Sequence, residues 1–258
     1  MLNSHCQPIS IAMVNSWRQM LLDGLFPQCC LFCGLQCRKE PLCSACRGEL
    51  QLNKDCCSRC ALPLASINQQ HDSLGPRYCG HCLRSSPHFD AVLAPYLYDE
   101  QFALLIQRWK YQPDPKLAKL MAALWLYAAP AELPAVDLLL PVPLHWRKLL
   151  QRGFNQALQL CQELQQHHPA LRSTKLASRW CRRQRSTLAQ AGLNAKARQG
   201  NLAGAFTLSR GCDNLRIAIV DDVMTTGATA NALARCLKEA GAHTVQLWCL
   251  ARTPAPPD

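Results

Sequence analysis

The residues best placed to do chemistry lie late in the chain, in the run Ile217-Ala218-Ile219-Val220-Asp221-Asp222-Val223-Met224-Thr225-Thr226-Gly227-Ala228-Thr229. Four apolar residues describe a buried strand, two adjacent acids follow where it emerges, and a threonine- and glycine-rich turn leads into a helical pattern. Each part has its own physics. Gly227 lets the backbone come close to a ligand. Unpaired N–H groups at a helix start, together with the helix dipole, hold a phosphate, and the hydroxyls of Thr225, Thr226 and Thr229 add donors. Asp221 and Asp222 supply acceptors suited to sugar hydroxyls beside Mg²⁺. The combination describes a phosphorylated-ribose site, with the acids on the diol and the loop on the 5′-phosphate. A capped helix would explain one Asp or Thr, but not two acids and three threonines around a glycine.

A second chemistry is written in cysteine. The chain has 17 cysteines in 258 residues, and eight of them form four C-x-x-C pairs: Cys30/Cys33, Cys43/Cys46, Cys57/Cys60 and Cys79/Cys82. Such a turn puts two thiolates at two vertices of a zinc tetrahedron, and two turns close a four-cysteine site. Nine residues separate the first two pairs and 18 the last two, both zinc-ribbon lengths. Gly34 and Gly80 are expected at the knuckle turns. Two structural zincs follow, with consecutive pairs joined or with first joined to third and second to fourth. The doublets Cys29-Cys30 and Cys56-Cys57 leave a one-residue choice, and Cys30 and Cys57 give the two-residue spacing. Cys37, His71 and His81 stand outside the pattern. Four such pairs without a signal sequence argue against a secreted disulfide scaffold. The segment 28–84 is poor in long apolar runs, so metal must supply much of its folding energy. Cysteines 161, 181, 212, 236 and 249 have no partner spacing and are expected as small core residues.

These groups need a scaffold. Hydrophobic residues make up 49% of the chain and charged residues 17%, which excludes a disordered chain and leaves room for a core. The best apolar run, Leu120 to Ala131, is too short to span a bilayer, so no membrane insertion is expected, and the location expected is cytoplasmic. Residues Trp17, Met20, Leu21 and Leu25 are helically spaced. Beyond Pro87 the pattern predicts strands at 91–97, 136–142, 216–220 and 244–250. It predicts helices at 101–110, 116–128, 153–166 and 226–240, the last capped by Gly241. Strands alternating with helices imply an α/β domain with a mainly parallel sheet, whose ligands sit at the carboxyl ends of strands. The organisation expected is an extension at 1–27, a small double zinc ribbon at 28–84 and an α/β domain at 88–254.

The thirteen-residue run resembles the phosphoribosyl-pyrophosphate (PRPP) motif of type I phosphoribosyltransferases. With Pro141-Val142-Pro143-Leu144, Arg152-Gly153-Phe154-Asn155-Gln156, the stretch Arg182 to Gln190, Arg198, Asn201, Phe206 and the cysteine knuckles, the chain resembles the ComF family over roughly residues 17–254. Within it the chain is similar to GntX-like DNA-utilisation proteins. The resemblance implies a type I phosphoribosyltransferase-like sheet behind zinc ribbons and a role in competence or in the use of extracellular DNA. It implies Mg²⁺ with PRPP at Val220, Asp221, Asp222, Thr225, Thr226, Gly227, Ala228 and Thr229. A pyrophosphate loop is implied near Pro143, Leu144 and Arg152, with Arg147 and Lys148 close behind. The stretch Arg179 to Thr187 looks like the loop that closes over the ribose in this fold, so Arg182 and Arg185 join Asp221 and Asp222 as candidate catalytic residues.

The net charge of +11 has an address. Residues 138–212 hold twelve Lys and Arg against one acid, Glu163, and the rest of the chain balances. That excess surrounds the phosphate end of the expected site, and it suits nucleic acid as well. Three functions remain open. One is ribose-phosphate binding within DNA uptake, with single-stranded DNA or a DNA-uptake helicase as partner. Another is an authentic transferase moving ribose 5-phosphate from PRPP to a nucleobase. The weakest is a PRPP-sensing regulator. The sequence shows no base-binding hood and leaves the oligomeric state open. Trp109-Lys110-Tyr111 reads as a packed helix end or as a base-stacking platform.

Overall fold

The computed structural model describes residues 28–37, 40–65, 75–112, 114–183 and 205–255. The expected helix at Trp17 to Leu25, as well as His71, Arg185, Arg198 and Asn201, lies outside the described residues. The chain divides into two compact units, one ending at Glu49 and the other starting at Leu50.

In the first unit β1 (Gln28–Cys29) pairs antiparallel with β2 (Gln36–Cys37), and α1 (Ser44–Gly48) follows. Gly34, between the strands, has φ of +73°, the left-handed turn expected of a knuckle glycine. The second unit opens with another knuckle, then α2 (Gly80–Arg84), β3 (Ala91–Leu93), β4 (Tyr96–Leu97), α3 (Glu100–Tyr111) and α4 (Pro115–Ala128). β5 (Leu138–Pro141), α5 (Trp146–Arg152), α6 (Gln156–His167) and β6 (Lys175–Leu176) come next. After them lie β7 (Cys181–Arg183), β8 (Phe206–Leu208), β9 (Arg216–Met224), α7 (Ala228–Glu239) and β10 (Thr244–Arg252).

The main sheet is parallel, in the order β3-β10-β9-β5-β6, with β4 also on β10. A separate antiparallel pair, β7 and β8, flanks residues 184–204. Strand alternation sorts the core into two faces. Leu138, Leu140, Ile217, Ile219, Val245, Leu247 and Cys249 join Leu233 and Leu237 of α7 in one apolar cluster, which also contains Cys57, Cys60, Cys79 and Cys82. The intervening Val220, Trp248 and Leu250 are equally buried. On that side Trp125 of α4 stacks on Trp248 at 5.2 Å and donates its N–H to the Cys249 carbonyl. The second knuckle is therefore built into the core of the α/β unit. Main-chain bonds stitch it there: Asn53 N–H to Pro95 O at 2.8 Å and Leu97 N–H to Gln51 O at 2.9 Å.

Four local differences from the sequence expectation have physical causes. The strand expected at 216–220 runs on to Met224, because β10 continues beside it to Arg252 after β5 has ended at Pro141. The strand expected at 91–97 is interrupted at Ala94-Pro95, and both pieces pair with β10. The helix expected at 153–166 starts only at Gln156, because Arg152 closes α5, Gly153 stops that helix with φ of +79°, and Asn155 caps the next one. Gly80 opens α2, and Cys79 accepts the capping N–H from Cys82.

Candidate functional site

The cysteines assemble first. Cys30, Cys33, Cys43 and Cys46 form one cluster, Cys57, Cys60, Cys79 and Cys82 another, and within each the sulfurs lie within 4.8 Å of one another. Cys33 and Cys43 sulfurs are 3.8 Å apart, Cys60 and Cys79 sulfurs 3.6 Å. A tetrahedron with metal–sulfur bonds of ~2.3 Å has edges of about 3.8 Å, so the donor sets fit zinc. Main-chain N–H groups point at the sulfurs: Cys43 to Cys30 at 3.5 Å, Cys46 to Cys43 at 3.4 Å, Cys79 to Cys57 at 3.3 Å and Cys82 to Cys79 at 3.4 Å. Such donors favour the thiolate a metal needs. Burial acts against ionisation of Cys30, yet the N–H groups of Cys33, Cys43 and Phe32 outweigh it and bring its thiol down to about 6. At Cys57 burial is likewise outweighed, by the N–H groups of Cys60, Cys79 and Arg59, and the thiol falls to about 7. Consecutive knuckles pair, with Cys30 and Cys57 rather than Cys29 and Cys56 in the clusters. Cys37 and His81 stay outside them. Of the lone cysteines, Cys161, Cys181, Cys212 and Cys249 are buried, while Cys236 is partly exposed.

At the carboxyl end of β9 the acid pair sits beyond the end of β5, where β9 is still paired to β10, Asp221 opposite Cys249 and Val223 opposite Ala251. The two carboxyls lie close enough to act on each other, and each accepts the next main-chain N–H, Asp221 from Asp222 at 2.9 Å and Asp222 from Val223 at 2.7 Å. Asp221 lines a cavity of about 50 Å³ with Val223, Thr225, Thr226, Gly227 and Thr229. Asp222 faces α3, where Lys110 forms an ion pair with it. Burial first, and the neighbouring Asp222 carboxylate second, push the Asp221 carboxyl well above the usual carboxylate range; the Asp222 N–H and Lys110 act in the other direction. An acid so placed gains from a cation, and two carboxylates beside hydroxyls are a hard-oxygen donor set that fits Mg²⁺.

The turn holds its shape through Gly227, which has φ of +75° and precedes α7 without a side-chain cap. A Cβ there would run into the Met224 terminal methyl. The first-turn N–H groups of this 12-residue helix are thus presented at the cavity beside Asp221. Thr226 Oγ1 accepts from Ala228 N–H at 3.4 Å.

Cations surround the acids. Burial first, then the charges of Arg152, Arg183 and Lys110, lower the Lys148 ammonium, and Asp222 pulls it back up. Burial lowers the Arg183 guanidinium and Asp221 opposes that shift. Arg183 also lies over the Phe206 ring at 5.8 Å. Arg152 sits over Tyr111 at 5.7 Å and donates to Gln156 at 3.3 Å. Pro143 and Leu144 line a cleft of about 740 Å³ together with Trp146, Phe154, Arg182 and Arg183. Asn155 holds the wall of this turn, donating to Val142 O at 3.0 Å and accepting from Ala157 N–H at 2.9 Å. His145 is buried and caps α5 through Nδ1, accepting from Arg147 N–H at 3.3 Å. Trp180 lies between Lys175 at 4.9 Å and Arg210 at 4.8 Å.

Trp109 is fully buried and donates to Gln159, so it is a core residue and not a stacking platform. Its neighbour Lys110 is the residue the sequence undervalued: a helix-end lysine gives no sign of the acid it meets. Arg252 was missed altogether. It is 6% exposed and hydrogen-bonds main-chain carbonyls on both the second knuckle and the turn after β9.

A parallel α/β domain with an acid pair and a glycine turn at a strand end, carrying four-cysteine metal knuckles ahead of it, defines a zinc-ribbon α/β class. The double zinc ribbon domain family matches residues 21–83. The chain is 32% identical over 243 residues to Competence protein F of Haemophilus influenzae, covering 86% of this chain and 96% of that protein. It is 35% identical over 217 residues to DNA utilization protein YhgH of Salmonella typhimurium, covering 82% and 90%. Competence protein ComFC of Bacillus subtilis is 25% identical over 225 residues, covering 83% and 85%. The chain belongs to the ComF family of competence and DNA-utilisation proteins.

Proposed function

We propose that the chain binds a phosphorylated ribose, PRPP or ribose 5-phosphate, with Mg²⁺ at the carboxyl end of β9, and that this site serves DNA uptake or utilisation. One observation carries the reading. Asp221 and a left-handed glycine turn at the N-terminus of α7 share one small cavity, and the Asp222 carboxylate, ion-paired with Lys110, lies close enough to act on Asp221. An anion-binding turn beside carboxylates is complementary to a molecule that carries a phosphate and a diol together. When bound, Mg²⁺ would neutralise charge between acids and phosphates. The chain's own residues orient the ligand: Thr225 to Thr229 take the 5′-phosphate, Asp221 and Asp222 take the diol and the metal, and Pro143, Leu144 and Arg152 take the pyrophosphate. Arg182 and Arg185 complete the phosphate end.

The names of the relatives, competence and DNA utilization proteins, support placing this activity in the handling of DNA. The basic span 138–212 supports a polyanion such as single-stranded DNA as a further ligand. Transfer of ribose 5-phosphate to a nucleobase is the second reading. Arg182 and Arg183 favour it, because they line one cleft with Pro143 and Leu144, where a departing pyrophosphate would need cations. Pyrophosphate release from PRPP across a panel of nucleobases separates the two: turnover with one base supports transfer, and PRPP binding without turnover supports the binding role.

A further inference from the structure

Arg252 occupies an unusual position for a guanidinium. It ends β10 and is 6% exposed, and its hydrogen bonds run to main-chain carbonyls. Nε donates to Cys60 O at 3.1 Å, inside the second cysteine knuckle. Nη1 donates to Met224 O at 3.2 Å, to Thr225 O, and to Thr253 O at 2.7 Å. Met224 and Thr225 immediately precede Thr226-Gly227, the turn assigned above to the 5′-phosphate. A cavity of about 270 Å³ lies between these partners, lined by Cys60, Cys79, Cys82, Thr226, Gly227 and Arg252 itself.

A buried cation needs compensating negative charge. No ion pair of Arg252 with a carboxylate occurs among the described residues. Four thiolates around one zinc ion are formally dianionic, and Cys60 contributes both a thiolate to that cluster and the carbonyl that Arg252 binds. The knuckle is itself fixed to the sheet: Asn53 donates to Ala61 O at 2.8 Å and to Ala94 O at 3.1 Å. Charge and geometry thus run from the metal site through one side chain to the turn.

We infer that Arg252 is a positioning residue that couples metal occupancy of the second four-cysteine site to the conformation of the turn Met224–Gly227. The second zinc is then part of the ligand site's architecture, and its loss loosens the phosphate turn. The consequence for ligand rests on the ribose-phosphate reading, whereas the coupling itself does not.

Hydrogen–deuterium exchange of the full chain, with zinc content followed by native mass spectrometry, tests the coupling without any ligand. Arg252→Met with both zincs retained should speed exchange at the amides of Asn231, which donates to Gly227 O at 2.8 Å, and Thr253, which donates to Met224 O at 3.0 Å, by about tenfold, the scale of one lost hydrogen bond. Stripping zinc from the wild type should do the same, and stripping it from Arg252→Met should add nothing further at the turn. Arg252→Lys, which keeps the charge but cannot fork between Cys60 and Met224, should fall between, and it carries the comparison should Arg252→Met not fold. Unchanged turn protection in the zinc-loaded variants, or additive effects of substitution and stripping, would overturn the inference. A titration with Mg²⁺ and PRPP forms the second arm, with weaker binding expected in the variants. If the wild type binds no PRPP, the ribose-phosphate reading falls and the exchange result still decides the role of Arg252.

Discussion

The ammonium of Lys110, in the last turn of α3, is ion-paired with the carboxylate of Asp222 on β9, and both side chains are largely shielded from water. This pair links a helix end to the acids that define the candidate site. Removing one partner leaves the other buried and uncompensated, which costs more than the pair contributes. Lys110→Met should lower stability by about 1–3 kcal/mol, and Lys110→Met/Asp222→Asn should recover part of the loss. Denaturant unfolding of the four proteins in a double-mutant cycle measures this. Additive losses would mean that the pair is not coupled.

Gly227 is the second test. Its φ of +75° costs any L side chain about 1–2 kcal/mol, and the added methyl would also push aside the end of the Met224 side chain. Gly227→Ala should keep the fold and both zincs but bind ribose 5-phosphate at least tenfold more weakly. Calorimetry with ribose 5-phosphate reads it, and wild-type affinity in the variant would show that the turn does not close on the phosphate.

The two metal sites should differ in lability. Cys57, Cys60, Cys79 and Cys82 are all buried, whereas Cys33 is exposed and Cys43 and Cys46 are partly exposed. The protein should carry two zincs, and a chromogenic chelator should remove them in two phases. Cys33→Ser should abolish the fast phase and leave the slow one. Loss of the slow phase in that variant would reverse the assignment.

Asp137 joins the starts of β5 and β9. Its carboxylate accepts from Arg216 N–H at 2.8 Å, Nε at 3.0 Å and Nη2 at 2.6 Å. The side-chain hydrogen bond from Arg216, then its backbone N–H, holds the Asp137 carboxyl down at about 2. A carboxylate depressed by folding adds stability above its unfolded value of roughly 4, and that stability drains away as pH falls through about 2. Because both groups touch solvent, screening keeps the contribution small. Unfolding of Asp137→Asn and wild type should differ at pH 5 and converge near pH 2. A difference that stays constant with pH would place the effect elsewhere.

Much of this was legible in sequence because its signals are local. Two-residue cysteine spacing, the Val220 to Thr229 run and the apolar periodicity of α3, α4 and α7 each sit within one element or turn. What escaped depends on partners far apart in the chain. The length of β9 is set by β10, so the acids lie within a strand and not past its end. Lys110 meets Asp222 only because α3 packs on that face of the sheet. Arg252 looks like the end of an apolar strand, and nothing local marks its bond to Cys60. Between the strand expected at 136–142 and the helix expected at 153–166 lies α5, whose end at Gly153 is its one local signal.

Everything proposed for the ligand depends on Asp221 and Asp222 holding Mg²⁺ and a phosphorylated ribose against the turn at Gly227. Calorimetric titration of PRPP into the zinc-loaded protein, with and without Mg²⁺, tests it most directly beside Asp221→Asn/Asp222→Asn. The account predicts Mg²⁺-dependent binding to the wild type and its loss in the double variant, with both zincs and the fold retained. Binding that ignores Mg²⁺, or that survives in the double variant, would contradict it.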